Sequence, residues 1–174
     1  MNDDIILVDI FDKETGSAEK MEAHRQKKLH RAFSLFIADK HGNMLLQKRA
    51  EGKYHSAGLW CNACCSHPRK GERIRDAVIR RAREELGIDV DPYELFHFTY
   101  YEDFGNLAEY ELDHVFLAQY EGELHPDPEE VGDLRWISIF ELKKELEEHP
   151  ERFAAWFQIA APRVLENSFR VWWD

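Results

Sequence analysis

The sequence predicts an α+β fold, an α/β/α sandwich around a mixed sheet. Apolar, β-branched and aromatic runs alternate with turn signals along most of the first 120 residues. A single long, charged helical stretch interrupts them near residue 80, and two further helical stretches close the chain. With 174 residues and 44% hydrophobic content, the chain is long enough for one domain with its own core. No repeat, low-complexity tract or linker divides residues 1–174.

Ile5 to Phe11 is apolar and β-branched enough for a strand, and Asp12 to Gly16 reads as a turn. Glu19 to Lys28 is polar and predicts part loop, part short helix. Ala32 to Ala38 has the unbroken apolar run of a buried strand. His41-Gly42-Asn43 then turns the chain into Met44 to Lys48, predicting a hairpin. Glu51 to Gly58 is a loop. Pro68 to Gly71 leads into a helix over Glu72 to Leu86, which Gly87 ends. Leu95 to Tyr101, Glu111 to Tyr120 and Leu134 to Ile137 are further strands. Helices over Ile139 to Glu148 and Pro150 to Leu165 follow.

A net charge of −11 and a pI near 5.3 argue against general binding of nucleic acid or anionic membrane, where basic patches supply affinity. A phosphate-bearing ligand must therefore meet a few placed Lys and Arg residues. Met1-Asn2-Asp3-Asp4 has neither the basic start nor the apolar stretch of a secretory signal, and no apolar run reaches bilayer length. Three cysteines, two of them adjacent, make no disulfide framework. These features point to a cytoplasmic protein. They set no oligomeric state, a monomer being favoured.

The central helix carries the first chemical signal. At about 100° per residue, Arg81 and Glu85 fall inside the arc marked by Ile74, Ala77, Val78, Ala82 and Leu86. An ordinary (i, i+4) ion pair belongs on the solvent face, whereas inward charges require a partner or a metal. Upstream stand Cys65, Ser66 and His67. Downstream, Glu109 and Glu111 are two apart on a strand and share a face. A thiol, an imidazole and paired carboxylates are the parts of a metal-dependent acid/base site. Cys61-x-x-Cys64 lacks the second pair a structural zinc needs, so both residues read as packing.

Glu72, Arg80 and Glu84-Glu85-Leu86-Gly87-Ile88 match the spacing of the Nudix box. The chain departs from that pattern at Ser66, where Gly is expected, and at Arg81, where a carboxylate is expected. Arg81 weakens the acidic cluster a pyrophosphohydrolase uses and supplies an anion receptor instead. With Asn62 to Pro68 and Glu109-Tyr110-Glu111 included, the chain resembles the type 1 isopentenyl-diphosphate Δ-isomerases, which share the Nudix fold but do not hydrolyse their diphosphate. The likeness runs from about Leu7 to Trp156.

That resemblance implies one divalent ion on His24, His30, His67, Glu109 and Glu111, with Mg²⁺, Mn²⁺ and Zn²⁺ all open. It implies Cys65 and Glu111 as the proton-transfer pair, with Tyr100 as a relay. Lys20, Arg49, Lys53 and Arg81 would receive the diphosphate of an isoprenyl substrate, and Glu85 would hold a bridging Mg²⁺. Trp156 fits either an aromatic wall facing a carbocation or plain helix core. The implied reaction is a 1,3-allylic proton shift. His41, His55, His97, His114, His125 and His149 read as solvated or hydrogen-bonded. The acidic stretches Glu121 to Asp133 and Glu141 to Glu151 read as solvated faces. A Nudix hydrolase and a non-catalytic binding module are the competing classes.

Overall fold

The computed structural model describes residues 3–53 and 55–171. Its elements are β1 (Ile5–Val8), β2 (Glu14–Ala18), α1 (Lys20–Arg25), β3 (His30–Ala38), β4 (Met44–Arg49), β5 (Trp60–Cys61), β6 (Cys64–Ser66) and α2 (Ile74–Leu86). There follow β7 (Tyr93–Asp103), β8 (Ala108–Gln119), β9 (Val131–Ile137), α3 (Ile139–Glu148), a 3₁₀ turn at Pro150–Arg152, and α4 (Ala155–Val171).

β3 is the hub of a mixed sheet. It runs parallel to β8 along its whole length, from His30 opposite Glu111 to Ala38 opposite Gln119. Its other edge takes β1, β6 and β4 in turn. β3 is covered on both sides, so from Leu35 to Ala38 its side chains are apolar on both faces. Phe36 and Ala38 pack with Phe157, Ala160 and Val164 of α4. Leu35 and Ile37 pack with Ala77, Val78, Ala82 and Leu86 of α2. Burying both faces is why this strand reads as a continuous run rather than an alternation. The sheet lies between these two helices, which is the sandwich expected.

Several local expectations shift. The first turn comes earlier than Asp12 to Gly16, because the Asp9 carboxylate accepts from the backbone N–H groups of Phe11 and Lys13 at 2.9 and 3.0 Å. Glu14–Ala18 then pairs with β1. The predicted hairpin between β3 and β4 closes at a single pair, Ala38 with Met44. β6 takes the next stretch of that edge, and β4 leaves to pair with β9. The strands β5 and β6 have two and three residues and give no periodic signal. α2 ends as predicted: Gly87 adopts φ 66°, and its N–H and that of Ile88 return to the carbonyls of Arg83 and Ala82.

Candidate active site

The parallel register of β3 and β8, extended to β7, lays a row of functional groups across three strands. His30 stands opposite Glu111, and Glu111 stands opposite Tyr100. On the far edge of β3, Cys65 of β6 stands opposite Ser34. α1 adds His24 from behind, and the end of β6 delivers His67. Cys65 and Glu111 thus sit on strands flanking β3 on opposite edges. Both open into a cavity of about 180 Å³ that reaches α2 on one side and Trp156 of α4 on the other.

His24, His30, His67 and Glu111 are all buried and bring one donor atom each within 4.8 Å of the others. The three imidazole rings lie 4.7–5.5 Å apart between centroids. Two of them are oriented by backbone: His24 Nδ1 is 2.7 Å from the Lys20 carbonyl and His30 Nδ1 is 2.8 Å from that of Lys28. A carbonyl can only accept, so Nδ1 of each ring is the donor there, and the neutral form of each ring turns a bare Nε2 inward. Nε2 of His30 has no hydrogen-bond partner among the described residues and is 3.4 Å from Glu111 Oε1. His67 Nε2 is 2.8 Å from the same oxygen. Oriented imidazoles and a carboxylate facing one point suit a divalent cation, and the residues present fit one.

Glu109 is the member of the expected ligand set that stands aside from this group. Its carboxylate accepts from Tyr100 Oη at 2.6 Å and lies 2.5 Å from His55 Nε2. Tyr100 also reaches Glu111, at 2.8 Å. Burial, then the charges of Glu111 and Glu109, push the Tyr100 phenol well above its usual range, so it keeps its proton. Burial works to raise Glu111, but His30 and His67 outweigh it and hold that carboxyl well below the carboxylate range. The Cys61 thiol beside Cys65, then burial, push the Cys65 thiol well above its ordinary value, against the pull of Arg49. Arg49 Nη1 is 4.0 Å from the sulfur.

Four cations expected from sequence line the same cavity: Lys20, Arg49, Lys53 and Arg81. Arg49 also lies over the Trp156 ring, 5.3 Å from its centroid. Trp156 is buried in the α4 core and also lines the cavity. Its indole N–H donates to Asn62 Oδ1 at 3.0 Å, while Asn62 Nδ2 donates to the Leu35 and Cys64 carbonyls at 3.2 and 2.7 Å. One asparagine therefore locks the aromatic wall to the strand carrying Cys65.

Glu85 is buried and lines the cavity. It pairs with Arg81, which also bonds Glu84 at 2.7 Å and lies 3.5 Å from Glu130. Burial opposes the charge on Arg81, but the surrounding carboxylates outweigh it and keep the guanidinium charged.

Two residues set aside on sequence belong to the site. His55 is buried against Glu109, its ring stacked on Phe104 at 5.1 Å. Glu130, inside the stretch read as solvated, lines the cavity and pairs with Lys53. It arrives there because the loop before β9 latches onto the end of α2: His125 N–H bonds the Leu86 carbonyl and Asp127 N–H bonds that of Glu85, at 2.8 and 2.9 Å. No local pattern foretells that latch. His55 carried one usable signal, its place between Lys53 and the Asn62 segment.

Residues 28–157 match the family model for the NUDIX domain. The chain is 45% identical over 166 residues to isopentenyl-diphosphate Delta-isomerase 2 of Aromatoleum aromaticum, an overlap of 95% of this chain and 88% of that protein. The chain belongs to this isomerase family, within the NUDIX fold. It is likewise 42% identical over 173 residues to the isopentenyl-diphosphate Delta-isomerase of Serratia proteamaculans, covering 99% of this chain and 97% of the other. A solved protein of Deinococcus radiodurans shares the fold at a TM-score of 0.77 and 18% identity, over 92% of this chain and 98% of that one. Among the described residues no helix is long and apolar enough to cross a membrane.

Proposed function

We propose that this chain interconverts isopentenyl and dimethylallyl diphosphate by a 1,3-allylic proton shift, with Cys65 and Glu111 exchanging protons at opposite ends of the allylic unit. The observation that carries this reading is the placement of those two groups on strands flanking β3. Two strand spacings of about 4.8 Å separate their backbones, which leaves room for a flat five-carbon unit between the side chains. One group adds a proton to the terminal alkene carbon. The other removes one from the carbon next to that bearing the diphosphate. Because the reaction is an interconversion, each is the acid in one direction and the base in the other.

Tyr100, bonded to both Glu109 and Glu111, relays or steadies the proton on the carboxyl side. An unactivated alkene is a very weak base, and the tertiary cation formed on protonation would be trapped by water. The site must therefore stay dry and offer a non-nucleophilic face, which Trp156 supplies. Lys20, Arg49, Lys53 and Arg81 hold the diphosphate and fix the reacting carbons relative to Cys65 and Glu111. When bound, a divalent ion on His24, His30 and His67 with Glu111, and Glu109 at its edge, would orient and polarise the carboxyl group, while Mg²⁺ at Glu85 would share the diphosphate charge. Three imidazoles favour Zn²⁺ or Mn²⁺ over Mg²⁺ in the first position.

Purified protein incubated with isopentenyl diphosphate and Mg²⁺ should produce an acid-labile allylic diphosphate without releasing phosphate. Phosphate release from nucleoside diphosphate derivatives, with no allylic product, would instead make it a hydrolase.

A further inference from the structure

A second group of metal-ligating side chains lies outside the cavity, on the α2 side of the sheet. His97 of β7 and His114 of β8 are a directly opposed cross-strand pair, with ring centroids 5.3 Å apart. Directly opposed residues share a face and bring their side chains together. Glu94 is three residues before His97 and on a regular strand would face the other way. The register shift between Glu94 and Phe96 cancels that: Glu94 is opposite Phe116, two residues from His114, so it returns to the histidine face. A bulge that re-aims one carboxylate on to a histidine pair is the kind of irregularity strands carry at functional positions.

The side chains complete the arrangement. Glu94, His97 and His114 bring one donor atom each within 4.8 Å of the others. Bonds of about 2.1 Å round one ion need the donors about 3.4 Å apart. Glu94 and His97 are exposed and free to close that gap by rotation, whereas His114 is buried at 7% exposure. His114 is also held from behind. Its Nδ1 is 2.7 Å from Glu94 Oε1, and its buried Nε2 lies 3.0 Å from Asp12 Oδ2 without forming an aligned hydrogen bond. Asp12 is itself fixed by Arg31, whose Nε and Nη2 reach its carboxylate and carbonyl at 2.7 and 2.8 Å. A ligating imidazole that turns its second nitrogen to an anchored carboxylate is the usual outer shell of a metal-bound histidine.

We propose that Glu94, His97 and His114 bind one transition-metal ion of the Zn²⁺ class, with Asp12 orienting His114 from the outer shell. Two imidazoles and one carboxylate, open to solvent on the side of His97 and Glu94, leave a position for water. The ion ties β7 to β8 and, through Asp12, to the β1–β2 turn. This site does not rest on the isomerase reading and shares no residue with the cavity.

The test uses the full chain, stripped with a chelator and equilibrated by dialysis against micromolar Zn²⁺ alone. Zinc per chain is then counted in wild type, His97→Ala, Glu94→Gln and His67→Ala. His97→Ala and Glu94→Gln should each lose one equivalent relative to wild type, with unchanged circular dichroism because both residues are exposed. His67→Ala should keep that equivalent, which separates this site from the cavity. Asp12→Asn should weaken zinc binding at least tenfold. In the His67→Ala background, Zn²⁺ should raise the thermal midpoint, and adding His97→Ala should abolish the rise. An equal zinc count in wild type and His97→Ala overturns the proposal. So does a zinc-induced rise that survives His97→Ala in the His67→Ala background.

Discussion

Cys64 and Cys65 are neighbours in the chain with opposite surroundings. Cys64 is fully buried against α2, while Cys65 is half-buried and opens into the cavity. Cys65→Ala should lower turnover at least a hundredfold with the fold intact, the loss expected for a group that transfers a proton. Cys64→Ala should cost about 1 kcal/mol of stability and little activity; activity assays beside thermal melts separate the two. Glu109 and Glu111 differ in the same way. Glu111 belongs to the buried His group, so Glu111→Gln should lose both activity and bound metal. Glu109 holds Tyr100 and His55, so Glu109→Gln should lose activity while retaining most of the metal. Metal analysis of both variants checks this. At Arg81 the guanidinium serves Glu84, Glu85 and the cavity together. Arg81→Lys keeps the charge but loses the fork. Losing one charge-assisted contact costs about 1.5–3 kcal/mol, so the Michaelis constant should rise at least tenfold. An unchanged constant would leave Arg81 as a partner of the helix carboxylates only.

Among the elements, α2 depends on how it stops. Gly87 holds φ 66°, and a Cβ there would lie 2.7 Å from His125 Cβ and 3.0 Å from the His125 carbonyl oxygen. Gly87→Ala therefore combines left-handed strain of about 1–2 kcal/mol with a collision against backbone. The thermal midpoint should fall by at least about 2 °C, at about 2–4 °C per kcal/mol for a chain of this size. Activity should fall as well, since the displaced loop carries Glu130 to Lys53. A lowered midpoint with unaltered kinetics would show that the loop can move without disturbing the cavity.

For the whole molecule, the two apolar clusters share β3 and β8, so the chain should unfold in one cooperative transition followed equally by fluorescence and circular dichroism. Its pH dependence follows from the buried imidazoles. Burial, against the pull of Glu111, brings His67 from 6.5 down to about 3. Below pH 6.5 the unfolded chain then binds more protons than the folded one, so this group's stability is lost as pH falls towards about 3. Asp113, pushed up by burial and by Glu111, acts in the opposite sense. The comparison that isolates His67 is metal-stripped wild type against His67→Asn: wild type should lose midpoint more steeply between pH 7 and 5. Added Zn²⁺ should stabilise wild type at pH 7.5 and do so less at pH 5, because its ligands must be deprotonated. Parallel pH curves for the two chains would remove His67 from this account.

The sequence by itself determined the layers, the central helix and its stop, and the direction in which Arg81 and Glu85 point. Each follows from periodicity or from the backbone freedom of one glycine, which are local properties. It also gave the family, because Cys65, His67, the helix motif and Glu109-Tyr110-Glu111 stand in a fixed order along the chain. Tertiary structure alone decided what those residues touch. The parallel register of β3 on β8 sets His30 opposite Glu111 across 81 positions of sequence, and nothing in either strand encodes that pairing locally. The same holds for Glu130, carried in by a loop latched to α2, and for His55, buried against Glu109. It holds too for Glu94, turned on to His97 and His114 by one bulged residue. A one-residue slip in a strand reverses every side chain, so a site built across four strands exists only once the whole sheet has fixed its register.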